Sequence, residues 1–227
     1  MEEDLFATLR DEMIVEVVAE TAMLGEQLGK DFLDARVIDA IGRVPRHEFV
    51  PLELKPYAYL NRPLPIGYDK TISQPFIVAL MTDLLELGAD DVVLEIGTGL
   101  GYQSAILSLL ARRVYTIEII EELAAQARQR LAHAGCTNVE VRAGNGAHGW
   151  PAHAPFDKII VTAAPDLIPP SLIMQLKPGG RMVIPAGLPD SQQLLLVTTD
   201  MTGKVATREV LPVRFSALEG DEPAVRA

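Results

Sequence analysis

The chain holds one cysteine, one tryptophan and four histidines in 227 residues. A lone Cys136 excludes an internal disulfide, and without a CxxC pair or a Cys/His cluster there is no zinc pattern, so no metal site is expected. Basic charge is also short: 20 Lys and Arg stand against 31 Asp and Glu, a formal net charge of −11. Nucleic-acid affinity is largely electrostatic, which makes DNA and RNA poor partners for such a chain. No apolar run approaches the roughly 18 residues of a membrane span, and Met1-Glu2-Glu3-Asp4 lacks the basic start of an export leader. A soluble, cytoplasmic protein with no membrane partner is expected. A Gly-x-Ser-x-Gly elbow is missing too, which removes the serine-hydrolase reading.

What is present is an apolar strand, Val92 to Ile96, running into Gly97-Thr98-Gly99-Leu100-Gly101 and then into an apolar-periodic segment from Tyr102. Glycines permit a tight strand-to-helix reversal, and the N–H groups freed at a helix start favour an anionic ligand group. A dinucleotide fold wants GxGxxG, and position 102 is Tyr. With Glu95 before the glycines and Glu118 at the end of the next apolar run, the spacing suits S-adenosylmethionine better. Glu118 follows Gly97 by 21 residues, near the spacing of about 20 at which an acid meets ribose hydroxyls. A plain structural turn and a surface acid are the competing readings.

The length suits one α/β domain with an appendage. Residues 5–42 read as helical, with Leu5, Leu9, Met13 and Val17 in three-to-four spacing. Six prolines between Pro45 and Pro75 predict an ordered, irregular segment suited to substrate contacts. A helix over 76–87 follows. Strands are then expected near 92–96, 113–118, 139–143, 157–162 and 181–185, with helices near 102–111, 121–134 and 169–176. This alternation predicts a doubly wound, mostly parallel sheet. An antiparallel hairpin closes it at Leu194–Thr199 and Val205–Val213, turning at Gly203. Ligands in such sheets bind beyond the carboxyl ends of the strands, so Gly97, Glu118, Gly144-Asn145-Gly146 and Thr162-Ala163-Ala164 are expected at one crevice. Residues 1–75 are expected to form a substrate-side segment packed on a cofactor-binding core, 76–227, the whole a single compact unit.

Several separate blocks then resemble the protein-L-isoaspartate O-methyltransferases, between about Arg36 and Leu218. They are Pro45-Arg46-His47-Glu48-Phe49-Val50-Pro51, Thr71-Ile72-Ser73-Gln74-Pro75, Leu94 to Gln103 around the glycines, Phe156 to Ala164, Gln175 to Arg181, and Val213-Arg214-Phe215. The first two are the family-specific ones; the glycine block and Lys177-Pro178-Gly179-Gly180 occur in many methyltransferases. The resemblance implies a Rossmann-like methyltransferase fold and transfer of methyl from S-adenosylmethionine to the free α-carboxylate of L-isoaspartyl residues in damaged proteins and peptides. The resulting ester closes to a succinimide, whose hydrolysis restores some aspartate. It implies Ser73 as the active-site residue and Thr71, Ile72 and Val213 on the substrate side. Glu95, Gly97, Thr98, Gly99, Gly101, Glu118, Asn145 and Gly146 fall to the cofactor. A monomer is expected, with an oligomer left open.

The chain departs from the family at Asn145, where the pattern has Asp, and in its first 35 residues, which match poorly. Ser73 has a competing role as cap of the helix near Pro75. His47 reads as substrate contact or structural hydrogen bond, the other histidines as surface or loop residues, Trp150 as a packing anchor and Asp90-Asp91 as a solvated turn. Rival functions are a methyltransferase of the same fold acting on another carboxylate, a non-catalytic adaptor for altered proteins and, last, a nicotinamide oxidoreductase.

Overall fold

A computed structural model describes residues 2–220. Seven strands form one sheet: β3 (Val92–Ile96), β4 (Arg113–Glu118), β5 (Val139–Ala143), β6 (Phe156–Val161), β7 (Leu176–Ala186), β8 (Gln193–Thr199) and β9 (Val205–Pro212), in the order β5-β4-β3-β6-β7-β8-β9. Strands β3 to β7 pair in parallel, and β8 and β9 add an antiparallel edge. Parallel strands are covered on both faces and so read as near-continuous apolar runs, as β3, β4 and β6 do. Alternation divides each between two cores: Val93, Val114 and Ile160 belong to one, Leu94, Ile96, Ile117, Ile159 and Val161 to the other. Chain order reverses between β3 and β6, which places a crevice beyond their carboxyl ends.

Helices α5 (Tyr102–Leu110) and α6 (Glu121–His133) connect the first parallel strands, as their periodicity predicts. The predicted helix 169–176 is only α7 (Pro170–Met174), because Leu176 already pairs with Phe156 in β7. The Lys177-Pro178-Gly179-Gly180 turn, with Gly179 at φ +76°, sits inside that pairing and hides the strand's start from a propensity reading.

The preface consists of α1 (Glu2–Met23), the single turn α2 (Gly25–Leu28) and α3 (Ala35–Arg43). Met13 and Val17 of α1 and Val37 and Ile41 of α3 join the same core as Val93 of the sheet. The proline-rich stretch holds more regular structure than predicted: β1 (Leu64–Gly67) and β2 (Lys70–Ile72) form an antiparallel hairpin. Its two-residue loop, Tyr68-Asp69, has φ +54° at both positions, as a primed hairpin turn requires. Pro65 is tolerated because a two-stranded sheet has only edge strands. Helix α4 (Pro75–Leu84) then leads back to the sheet.

Candidate functional site

The glycine turn is left-handed at Gly97 (φ +95°), Gly99 (+55°) and Gly101 (+98°). Its first residue hangs from the strands: Gly97 N–H donates to Ile117 O at 2.8 Å, and the Thr162 hydroxyl donates to Gly97 O at 2.7 Å. Glu118 anchors the next part, its carboxylate accepting from Gly99 N–H at 2.8 Å and from Ile120 N–H at 3.1 Å. Burial raises the Glu118 pKa, with the backbone donors pulling it down. Those bonds leave each oxygen acceptor capacity toward a neutral donor such as a ribose hydroxyl.

A cavity of about 590 Å³ opens over this turn, in the range of sites for small molecules. Gly97, Gly99, Glu118, Gly146 and Thr162 are among its lining residues. A Cβ at Gly97 would collide with Thr162 Oγ1, and one at Gly146 with Ile96 Cγ2. Both glycines are therefore packed too closely to carry a side chain, and present bare backbone. Carboxyl ends of β3, β4 and β6 and the loop after β5 thus converge as the strand ends predict. Bare backbone, a buried acid with acceptor capacity to spare and this volume fit S-adenosylmethionine.

The lining also brings in Ser73, Thr71, Val213 and Phe215, together with Glu20 and Leu24 from α1. The Ser73 hydroxyl is not a cap: the N-cap of α4 is Gln74, without a side-chain bond. Three residues with no sequence signal hold this wall. Glu20 accepts from Asn61 at 2.7 Å and from Gln74 at 3.2 Å, tying α1 to the Ser73 loop. Buried Gln192 clamps Phe215, accepting from its N–H at 2.6 Å and donating to its carbonyl at 3.2 Å. Lys70 of the hairpin pairs with Glu219 at 2.5 Å across the cavity rim. None is reachable by spacing, because each partner lies between 23 and 149 positions away and only folding brings the two together.

Other predicted site residues stand behind the wall. Ile72 is buried outside the cavity lining, Thr98 bonds Thr116 hydroxyl to hydroxyl at 2.6 Å, and Gly101 lies against Leu131 of α6. Asn145 turns its Oδ1 onto Ala147 N–H at 2.8 Å and leaves Gly146 facing the cavity. His47 bonds the Tyr59 hydroxyl at 2.8 Å and stacks on Phe6, and Trp150 packs in the second core. Among the described residues no His/Cys/Asp/Glu group could hold a metal, and no helix is long and apolar enough to cross a membrane.

Glu95 is fully buried on the α5 side of β3, accepting from the Ser104 hydroxyl, with its Oε1 unpartnered. Burial pushes its pKa up to about 7 against hydrogen bonds from Ser104 and Thr116, and the Glu118 charge adds to the rise. The folded protein then holds this proton more tightly than the unfolded chain, whose value is 4.5. Stability from this group is whole below about pH 4.5 and falls as pH climbs to about 7. The loss is at most about 3 kcal/mol by pH 8. Urea denaturation at pH 5 and pH 8 is expected to show this slope in the wild type, and Glu95→Gln is expected to flatten it.

The family model described as protein-L-isoaspartate(D-aspartate) O-methyltransferase matches residues 20–223. A Polaromonas relative named protein-L-isoaspartate O-methyltransferase 1 is 67% identical over 223 residues, covering 98% of this chain and 94% of its own. A Syntrophobacter fumaroxidans protein named protein-L-isoaspartate O-methyltransferase 2 is 55% identical, with 96% and 89% covered. The N-terminal stretch that departs from the family pattern therefore lies largely within these alignments. A solved protein-L-isoaspartate O-methyltransferase superimposes with a TM-score of 0.75 at 28% identity, over 90% of this chain and 66% of its own. A Plasmodium falciparum structure in complex with S-adenosyl-L-homocysteine reaches 0.77 at 19% identity, over 95% and 98%, and bears on the fold alone. Matches of that length and identity agree with the loop at Thr71–Pro75 and the glycine turn meeting over one cavity: the chain belongs to the protein-L-isoaspartate(D-aspartate) O-methyltransferase family.

Proposed function

We propose that this protein methylates the free α-carboxylate of L-isoaspartyl residues in damaged proteins and peptides, using S-adenosylmethionine, and so starts their repair through a succinimide. One observation carries the reading: a single cavity is lined both by Gly97, Gly99 and Glu118 and by Ser73 and Val213. When bound, S-adenosylmethionine supplies a methyl group activated by its sulfonium. Glu118 would hold the ribose hydroxyls, and the glycine turn would lie along the cofactor's backbone-facing edge.

No base is required of the protein, since a carboxylate with a pKa near about 4 is already a nucleophile at neutral pH. The chain's task is to orient that carboxylate and keep water from it. The Ser73 hydroxyl donates to the carboxylate without adding repulsive charge, and Thr71 offers a second donor on the same wall. Phe215 and Leu24 supply apolar cover, and the 213–219 stretch lines the cavity, tied down where Ala164 N–H donates to Ser216 O at 2.8 Å and Leu218 N–H to Ala164 O at 2.8 Å.

The deciding experiment is transfer of labelled methyl to matched peptides that differ only in isoaspartate or aspartate, scored as base-labile ester. Labelling of the isoaspartyl peptide alone is the expected result. Labelling of neither, with cofactor still bound, would move the acceptor to another carboxylate or leave a binding protein.

Asn145→Asp is a milder test of the cofactor end. An aspartate keeps the acceptor for Ala147 N–H and adds charge toward the adenine side of the loop. Cofactor binding by calorimetry is expected to tighten roughly fivefold, about 1 kcal/mol. Weaker binding would mean that the loop is tuned to the neutral amide.

A further inference from the structure

Arg46 is the largest fully buried side chain, at 0% exposure. Its Nε donates to Ala58 O at 2.8 Å and its Nη2 to Ser73 O at 2.7 Å, while Nη1 has no partner. The guanidinium carbon stands 4.8 Å from the centre of the Tyr102 ring, and Tyr102 opens the helix that follows the glycine turn. One side chain therefore touches the back of both halves of the site. Burial lowers the Arg46 pKa to about 10, which leaves it charged at neutral pH. No carboxylate among the described residues pairs with it.

A buried cation without a counter-ion is costly. The cavity wall in front of it is not rich in positive charge. Lys70 is taken by Glu219, Arg214 is exposed to solvent, and Glu20 and Glu118 add negative charge. The acceptor under the proposed function is an anion, and it must sit beside Ser73.

We infer that Arg46 is the counter-charge for the substrate carboxylate, acting from behind the Ser73 peptide unit as a positioning residue and not by contact. This rests on the proposed function. The guanidinium draws the Ser73 carbonyl toward itself, so the following N–H of the trans peptide, that of Gln74, points away from Arg46. The peptide dipole and the unpaired cation then present the same sign to the space ahead of Ser73. Helix α4 begins two residues on, with no acid in its first turn, and adds to that field. Because the charge works through a dry protein interior, water screens it far less than the exposed Arg214.

The test pairs charge on the protein with charge on the ligand. The variants are Arg46→Lys, which keeps the charge, and Arg46→Met and Arg46→Gln, which remove it. The ligands are an isoaspartyl peptide and its twin carrying an α-carboxamide in place of the α-carboxylate. For the neutral variants, the KM of the isoaspartyl peptide is expected to rise about tenfold or more, while inhibition by the carboxamide twin shifts less than about threefold. S-adenosyl-L-homocysteine affinity should hold, and Arg46→Lys should recover most of the loss. Equal weakening of both peptides, or loss of cofactor binding in step with thermal stability, would reduce Arg46 to a structural part. Should the Met variant fail to fold, the Gln variant, which keeps a donor toward Ser73 O, carries the comparison. If Arg214→Gln shows the charge-selective loss and the Arg46 variants do not, the counter-charge is at the rim and the inference is wrong. Absence of isoaspartyl labelling by the unaltered protein would instead overturn the proposed function.

Discussion

Ser73→Ala is expected to lower kcat/KM for an isoaspartyl peptide at least tenfold while cofactor affinity stays within about twofold. The size follows from losing a donor to an ionised group, worth about 1.5–3 kcal/mol. The selectivity follows from position, since Ser73 stands on the loop between β2 and α4 and not on the glycine turn or on the strand that carries Glu118. Little stability should be lost, because Gln74 occupies the N-cap of α4 and the side chain that accepts from its first turn is Asn61, bonded to Phe76 N–H at 3.0 Å, not Ser73. Labelled-methyl kinetics, cofactor calorimetry and a thermal melt separate these effects. Unchanged turnover would remove Ser73 from the mechanism, and a large fall in melting temperature would point to a structural role for its hydroxyl.

Gly97→Ala carries the largest expected effect on the cofactor: a loss of affinity of about 100-fold or more, with a clear drop in thermal stability. Two costs combine. At φ +95° a Cβ is strained by about 1–2 kcal/mol wherever it points. Here it points into Thr162 Oγ1, which cannot simply rotate away because it donates to Gly97 O at 2.7 Å and reaches Ile96 O at 3.1 Å. Relief must come from moving the turn, at about 1–3 kcal/mol more, and the turn is the cofactor's floor. Gly203→Ala is the control, with φ +83° and nothing within 4 Å of the added atom. It should lose stability from strain alone and bind cofactor as before. Equal cofactor affinity in both variants would take the glycine turn out of the binding site.

Much of the frame was legible without coordinates. Residues 92–96, 113–118 and 139–143 are strands at the predicted bounds, since buried parallel strands are apolar runs and Gly or polar residues punctuate them. The hairpin ending in β9 was readable from Gly203, which takes the left-handed turn that its flanking strands need. Misplaced readings have equally local causes. The β1–β2 hairpin was hidden by prolines that an edge strand accepts, and the early start of β7 by a Pro-Gly-Gly turn inside a paired strand.

What the chain determined by itself is the order of strands and helices, the left-handed glycine turn after β3, the acid 21 residues on, and the family-specific blocks around Arg46 and Ser73. These depend on neighbours along the chain, through side-chain periodicity and backbone sterics. Only the tertiary structure decided that Glu95 faces α5 instead of the cavity, that α1 supplies Glu20 to the substrate wall, that Gln192 holds Phe215, and that Arg46 stands behind Ser73 with no acid among the described residues to pair it. Which face of a strand meets which distant segment is set by how the whole chain buries its apolar surface, and no local pattern encodes that choice.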